Sequence, residues 1–240
     1  MRIGDHPAWC AAGGAALGGL AALGMALSGA LPSAPHAGAA GAGPSRAAAP
    51  AAPSAAEAFL TAWRAHLMAS WSVDEVDQRT MAGGATLRFD VHEAQAPPDS
   101  VVVGNGTVAA RRGATQVACG PGVAGQQYTC RSVPAPLTWA EDVDRQVAAL
   151  RADVEGPAAF YAVRPAGAGC WALDLVRPSQ DVPVVLGRGA TFCLDLTTGA
   201  LRSSQVQRIG AVDRVTVVAV HAPAQAADLA LPPAAAEVSG

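Results

Sequence analysis

The sequence predicts an α+β domain in which one large curved antiparallel sheet packs against two or so helices. Two capping boxes each precede apolar residues at helical spacing. Most of the remaining chain between residues 87 and 220 alternates apolar and polar residues with period two and is interrupted by turn residues. Helices gathered before and between runs of strands are typical of α+β domains. We expect the folded domain to span residues 54–232.

The first predicted helix covers residues 55–69. Ser54 and Glu57 form a capping box that satisfies exposed N–H groups at its start. Four large side chains fall on one face at helical spacing: Leu60, Trp63, Leu67 and Trp71. This stripe is interpreted as core, and stacking of a ligand between Trp63 and Trp71 is the alternative.

The second predicted helix starts at a capping box formed by Thr138 and Glu141 and ends at Gly156. One side of it carries Trp139, Val143, Val147, Leu150 and Val154. Its first turns hold the acidic residues Glu141, Asp142 and Asp144. Carboxylates are favoured at the positive end of a helix dipole, so these are interpreted as solvated charges rather than as a metal or acid/base site.

The strand pattern is clearest where Leu87, Phe89 and Val91 alternate with polar residues, which predicts a half-solvated sheet. Asn105 and Gly106 tolerate positive φ and predict a tight hairpin. Further strands are predicted at residues 100–103, 107–110, 115–119, 127–131, 159–163, 171–176, 190–196, 201–208 and 213–220.

Four cysteines lie in the predicted domain, and an even number in an exported chain favours disulfides. Cys119 and Cys130 flank a Gly-rich turn, which places them across one hairpin. Cys170 and Cys193 point to the same face of their strands, so we expect them to form the second bridge. No Cys-x-x-Cys motif is present and no His lies near a Cys at ligand spacing, so no metal and no cofactor are predicted.

The first 31 residues predict a signal anchor or a signal peptide. Residues 8–31 contain no charge and follow Arg2, and about 20 apolar residues suffice to cross a bilayer. A small-x-small cleavage site at residues 37–39 is the alternative. Both interpretations export the domain, either to the extracytoplasmic side of the cell membrane or as a secreted protein. Residues 32–53, rich in Ala, Pro and Gly, predict a disordered linker, and residues 233–240 predict a disordered tail.

Several function classes are disfavoured by the sequence. A net charge of −3 and a pI near 5.9 provide no basic footprint for nucleic acid. No nucleophile elbow, phosphate-binding loop or zinc-protease helix is present, so the protein is expected not to be an enzyme. His66 is expected on an exposed helix flank, and Asp90 with His92 on the polar face of a strand.

Three short motifs stand out near the end of the domain: the segment from Asp195 to Gly199, the following hairpin with Asp213, and the C-terminal segment from Asp228 to Pro232. These motifs resemble the LolA/LppX-type half-barrel proteins. A further motif, at residues 97–99 and Gly106, resembles an earlier hairpin of the group. The resemblance implies a half-barrel that holds lipid chains or lipoproteins in an apolar concavity. Unlike actinobacterial members, this chain has no lipobox, and no functional residue is transferred.

The leading hypothesis is a non-enzymatic envelope protein with an apolar cleft for a lipid-like ligand. The expected cleft residues are Leu87, Phe89, Val91, Leu173, Leu175, Phe192 and Leu194. The alternative is a non-catalytic interaction or scaffold module whose core is filled by the same residues. A third hypothesis is a hydrolase with an unfamiliar site, which a cluster of perturbed acids or histidines inside the cleft would favour.

Overall fold

A computed structural model of the chain describes residues 52–121, 128–177 and 186–232. The predicted apolar segment at residues 1–31, the linker up to residue 51 and the tail at residues 233–240 lie outside the described residues. Within the described ranges no helix is long and apolar enough to cross a membrane.

Two helices and eleven strands are described. The helices are α1 (Ala55–Met68) and α2 (Trp139–Val154). The strands before α2 are β1 (Trp71–Met81), β2 (Thr86–Ala96), β3 (Asp99–Gly104), β4 (Thr107–Arg112), β5 (Thr115–Pro121) and β6 (Tyr128–Pro134). Those after it are β7 (Tyr161–Gly167), β8 (Cys170–Leu175), β9 (Gly189–Leu194), β10 (Leu201–Arg208) and β11 (Ala211–His221).

All eleven strands form one antiparallel sheet in the order β6-β5-β4-β3-β2-β1-β11-β10-β9-β8-β7. The chain therefore runs from the centre of the sheet to the β6 edge, returns through α2 to the opposite edge at β7, and runs back to the centre. Because α2 joins the two edge strands, it must cross one face of the sheet. This confirms the predicted α+β class with a large curved antiparallel sheet.

The helices bury the faces that their sequences predict. Ser54 and Thr138 accept hydrogen bonds from the backbone N–H groups of Glu57 and Glu141, as the capping boxes predict. The main core contains buried residues of α1, α2 and β7–β11. A second cluster lies on the opposite face of β2–β6, where Leu229 and Leu231 of the segment after β11 pack against it.

The prediction that Trp71 continues the face of the first helix is wrong. The helix ends at Met68, because Ala69 already has extended backbone, and Trp71 is the first residue of β1. The sequence pattern predicts no strand there, because Asp and Gln in this segment are weak strand formers. Pairing of β1 with both β2 and β11 supplies the hydrogen bonds that local propensity does not favour.

The expectation that His66 is exposed is also wrong, since its exposure is 1%. Its Nδ1 lies 2.8 Å from the carbonyl oxygen of Gly199, to which it donates. The ring also stacks on Trp71 with centroids 5.1 Å apart. Burial lowers the pKa of His66 to about 4, so the ring is neutral and acts as core.

Candidate functional site

Four of the seven expected cleft residues pack beneath α1. Leu173, Phe192 and Leu194 are buried in the main core, and Leu175 is half-buried against it. Phe59 and Trp63 of α1 approach the Phe192 ring to 6.2 Å and 5.1 Å between centroids. In this half of the sheet the space between strands and helix is filled by side chains.

The other three expected cleft residues lie on the same face of the sheet, in the first half of β2. Leu87 is 47% exposed, and Phe89 and Val91 are half-buried. None of the seven lines the cavity between α2 and the other half of the sheet.

That cavity, of about 500 Å³, lies between α2 and one face of β2–β6. Its volume falls in the range of roughly 300–1,000 Å³ typical of small-molecule sites. Ala118 of β5 and Arg131 of β6 line it and are exposed, whereas Glu93 of β2 is buried. The cavity thus runs from an open mouth near the β6 edge to an inner end at β2.

Apolar groups from the helices and the sheet cover much of the wall. Val143 and Trp139 of α2 face the sheet, and Leu67 closes the side nearest α1. The indole N–H of Trp139 donates to the carbonyl oxygen of Leu67 at 3.1 Å, which ties the two helices together at this wall. Ala109 and Val133 contribute from the sheet.

Arg111 is a buried cation in the wall whose hydrogen bonds are satisfied within the protein. Its Nε donates to the carbonyl oxygen of Gly113 at 3.1 Å and its Nη2 to that of Leu137 at 2.5 Å. Its Nη1 lies 3.5 Å from Asp142, and its guanidinium lies 5.4 Å from the centre of the Trp139 ring. Asp142 is therefore half-buried and ion-paired rather than a freely solvated charge as predicted.

The inner end of the cavity carries hydrogen-bond acceptors. Glu93 is 4% exposed and Gln146 of α2 is 8% exposed, and both line the cavity. The Gln146 Oε1 atom is buried with no hydrogen-bond partner among the described residues. Gln95 donates through its Nε2 to the carbonyl oxygens of His66 and Ala69, at 2.6 Å and 2.9 Å.

Carboxylates continue from Glu93 along the neighbouring strand β1. Glu75 and Asp77 lie on the same face as Glu93, since each is an even number of residues from Val73, which pairs with Glu93. The Glu75 Oε2 and Asp77 Oδ1 atoms are buried with no hydrogen-bond partner among the described residues. Asp213 of β11 accepts from Arg79 at 2.5 Å and from Arg208 at 2.8 Å.

Burial raises the pKa of three of these carboxyl groups, those of Glu75, Asp77 and Glu93. Desolvation, with repulsion from Glu93 and Asp77, raises the pKa of Glu75 to about 9. Desolvation and repulsion from Asp77 raise the pKa of Glu93 to about 8. The pKa of Asp77 is raised to about 6, again by burial first and then by Asp213. At neutral pH, the carboxyl groups of Glu75 and Glu93 are therefore protonated.

Acidic side chains with shifted pKa values near a cavity are the feature that would favour a hydrolase. Of these acids only Glu93 lines the cavity, and no His or Cys among the described residues lines it. The other carboxyl group in the wall, Asp142, is ion-paired. The described residues also contain no group of three His, Cys, Asp or Glu side chains arranged to hold a metal ion.

The remaining polar residues singled out in the sequence lie away from the cavity. His92 does not pair with Asp90 but with Asp74 of β1, at 2.8 Å, and its Nε2 lies 3.0 Å from the carbonyl oxygen of Asp228. Glu141 accepts from the backbone N–H of Thr138, and Asp144 accepts from Arg64 at 2.6 Å.

Both predicted disulfides are present. Cys119 pairs with Cys130 between β5 and β6, and Cys170 with Cys193 between β8 and β9, each with 4.0 Å between Cα atoms. They lie in opposite halves of the sheet. Each joins directly opposite residues of neighbouring strands.

Glu75, Glu93 and Gln146 are not among the site residues that the sequence predicts. A partial signal exists at the start of β1, because Trp71 and Val73 alternate with Ser72 and Asp74, but Val76 interrupts this alternation directly after Glu75. Gln146 lies one turn from Val143 on α2, whose apolar face the sequence predicts. Nothing local distinguishes it from a surface glutamine, since only the sheet beneath α2 buries it.

Comparison with known proteins finds similarity in outline. No protein-family model matches the sequence, and no curated protein matches it. A LolA superfamily protein from Nitrosomonas europaea aligns with 9% identity and a TM-score of 0.32, over 74% of this chain and 97% of that chain. A DUF1329 family protein from Desulfovibrio piger aligns with 13% identity and a TM-score of 0.31, over 70% of this chain and 93% of that chain. The first of these belongs to the LolA group that the sequence of this chain resembles.

Proposed function

We propose that the protein binds an amphiphile, a lipid-like molecule with an apolar chain, in the cavity between α2 and β2–β6. The observation that carries the proposal is the cavity of about 500 Å³ with apolar groups of both helices in its wall. Ligand sites are typically concave, mostly apolar and equipped with few polar groups. The same site has a mouth at the β6 edge, through which a chain can enter.

We also propose that this binding is non-catalytic and takes place outside the cytoplasm, at the membrane surface or after secretion. The two disulfides support an oxidising compartment. The uncharged residues 8–31 support export, by either an anchor or a signal peptide.

Photo-crosslinking tests the proposed binding in the full chain. A dodecanol carrying a diazirine on its chain is added to the protein in nanodiscs, and crosslinked peptides are mapped by mass spectrometry. We expect crosslinks in β2–β6 and α2. Crosslinks confined to residues 1–31, or to the outer face of the sheet, would contradict the proposal.

A pair of variants separates cavity binding from surface binding. Ala109 lines the cavity and Ala162 of β7 is exposed elsewhere on the sheet. Ala109→Phe fills the cavity and should reduce crosslinks in β2–β6 by about tenfold, which corresponds to roughly 1.4 kcal/mol of lost binding. Ala162→Phe adds the same group outside the cavity and should leave those crosslinks unchanged.

A scaffold role is the second candidate function. The observation that favours it is the filled core beneath α1, where the expected cleft residues Leu173, Phe192 and Leu194 are packed. If wild type and Ala109→Phe both yield no crosslinks in β2–β6 while remaining folded, the scaffold role is the better account.

A further inference from the structure

The inner end of the cavity is polar and holds a hydrogen-bond acceptor that has no donor in the part of the chain that the structure describes. The buried Gln146 Oε1 has no partner among the described residues, and Glu93 faces the same space from the sheet. A buried acceptor without a donor is unfavourable, because it has lost its hydrogen bonds to water without gaining others. A ligand that donates hydrogen bonds at this point would offset this loss.

The charges on the same face favour a donor that is also a cation. On β1, β2 and β11 four carboxyl groups lie near one another, Glu75, Asp77, Glu93 and Asp213. Two guanidinium groups, those of Arg79 and Arg208, bind one of them, Asp213. Buried carboxylates are stable when they are paired with a positive charge or protonated.

The cations in the cavity wall do not alter this balance at the inner end. Arg111 is bound by Asp142 and by two carbonyl groups. Arg131 lies at the exposed mouth, where water screens its charge. An anionic headgroup at the inner end would instead meet Glu93 and the unpartnered oxygen of Gln146.

We propose that the cavity selects an amphiphile with an ammonium headgroup, which donates to Glu93 and Gln146 while its alkyl chain lies along Leu67, Trp139 and Val143. This rests on the proposed function and adds the class of headgroup. The ammonium compensates the ionised form of Glu93, so the proton that Glu93 otherwise holds leaves to solvent. Recognition then comes from the Gln146 Oε1 atom, which has no hydrogen-bond partner among the described residues, and from the carboxyl group of Glu93.

Three diazirine probes that differ only in headgroup test the proposal in full chain held in nanodiscs: dodecylamine, dodecanol and dodecanoate. We expect dodecylamine to crosslink within β2–β6 and α2 at concentrations at least about tenfold lower than dodecanol, because hydrogen bonds between charged groups are stronger than those between neutral groups. Dodecanoate should be the weakest of the three. Because amines also accumulate in anionic membranes, the nanodiscs contain only zwitterionic lipid.

Matched variants assign the preference to the inner end. Glu93→Gln keeps the shape but removes the charge, and should reduce the preference for amine over alcohol to about onefold to twofold. Gln146→Leu should weaken both donor probes. Glu57→Gln makes the same chemical change at an exposed position of α1 and should change nothing.

Failure of this proposal is distinct from failure of the proposed function. Equal crosslinking by amine and alcohol within the cavity would overturn the ammonium preference and leave amphiphile binding intact. An amine preference that survives in Glu93→Gln would likewise overturn it. No crosslinking in β2–β6 by any probe would overturn the proposed function itself.

Discussion

At the residue scale, Gly199 shows how a single backbone conformation shapes the contact between the sheet and α1. Its φ is +76°, and a Cβ there would lie 2.6 Å from the Ala69 Cβ and 3.4 Å from the carbonyl oxygen of Ala65. Its own carbonyl accepts the hydrogen bond from His66. Only glycine satisfies both the conformation and the close approach.

We expect Gly199→Ala to lower the free energy of unfolding by about 2–4 kcal/mol, measured by urea denaturation. The positive φ accounts for about 1 kcal/mol and displacement of the helix end for the rest. Gly210 is the matched control, because it has a φ of +74° and a Cβ added there would meet no atom within 4 Å. Gly210→Ala should cost only the conformational part, and equal losses in both variants would contradict the account.

At the element scale, the start of α2 depends on a reciprocal capping box. Thr138 Oγ1 accepts from the Glu141 N–H at 3.3 Å, and the Glu141 carboxylate accepts from the Thr138 N–H at 2.8 Å. The hydrogen bonds that the Glu141 carboxylate accepts from the backbone N–H and the hydroxyl of Thr138 hold the Glu141 pKa below its usual value. They also fix the turn that places Trp139 and Val143 over the cavity.

Thr138→Ala should destabilise the protein by about 1 kcal/mol, as loss of a side-chain cap generally does. Thermal unfolding followed by circular dichroism measures the effect. Thr61 is exposed in the interior of α1, so Thr61→Ala removes a hydroxyl without removing a cap and should be neutral or slightly stabilising. A comparable loss in both variants would argue against the cap.

The two disulfides act on different halves of the sheet. Their sequence separations are 11 and 23 residues. We expect Cys119→Ser with Cys130→Ser, and separately Cys170→Ser with Cys193→Ser, each to cost about 3 kcal/mol, because loss of the bridge restores entropy to the unfolded chain. Urea unfolding of both double variants measures this. Reductant should destabilise wild type and leave a quadruple variant unaffected, and a wild type indifferent to reductant would contradict the prediction.

At the scale of the whole molecule, the buried carboxyl groups set the pH dependence of stability. The folded-state pKa values of Glu75 and Glu93, about 9 and about 8, lie above the usual glutamate value of 4.5. The folded state therefore binds more protons than the unfolded state between these limits. The stability that these two protonated groups contribute is fully present below about pH 4.5 and is lost as the pH rises through their folded-state pKa values.

We expect the free energy of unfolding to fall by about 2 kcal/mol or more from about pH 5 to about pH 9, as measured by urea denaturation. Glu75→Gln and Glu93→Gln should each flatten the decline. His66 acts in the opposite direction, since its pKa is lowered to about 4 and its contribution is lost as pH falls from about 6.5. Stability that rises steadily toward pH 9 would contradict the buried carboxyl account.

Much of the architecture follows from local pattern. The capping residues Ser54 and Thr138 and the apolar stripes behind them predict both helices, because satisfied N–H groups and a 3.6-residue period are local properties. Period-two alternation predicts most strands, and the parity of Cys170 and Cys193 along their strands predicts a bridge. These features are readable because each depends on residues close together in sequence.

The site depended on contacts between distant segments. The apolar residues expected to form the cleft, among them Leu173 and Phe192, are covered by α1, and the cavity lies in the other half of the sheet. Glu75 and Glu93 become buried where β1 pairs with β2. The Gln146 Oε1 atom becomes buried, with no hydrogen-bond partner in the described ranges, because α2 crosses the sheet from one edge strand to the other. Local pattern in the sequence predicts both helices, most of the strands and both bridges, but not β1. Which part of the sheet face is covered and which part lines a cavity follows from tertiary contacts, because burial is set by what packs opposite a residue.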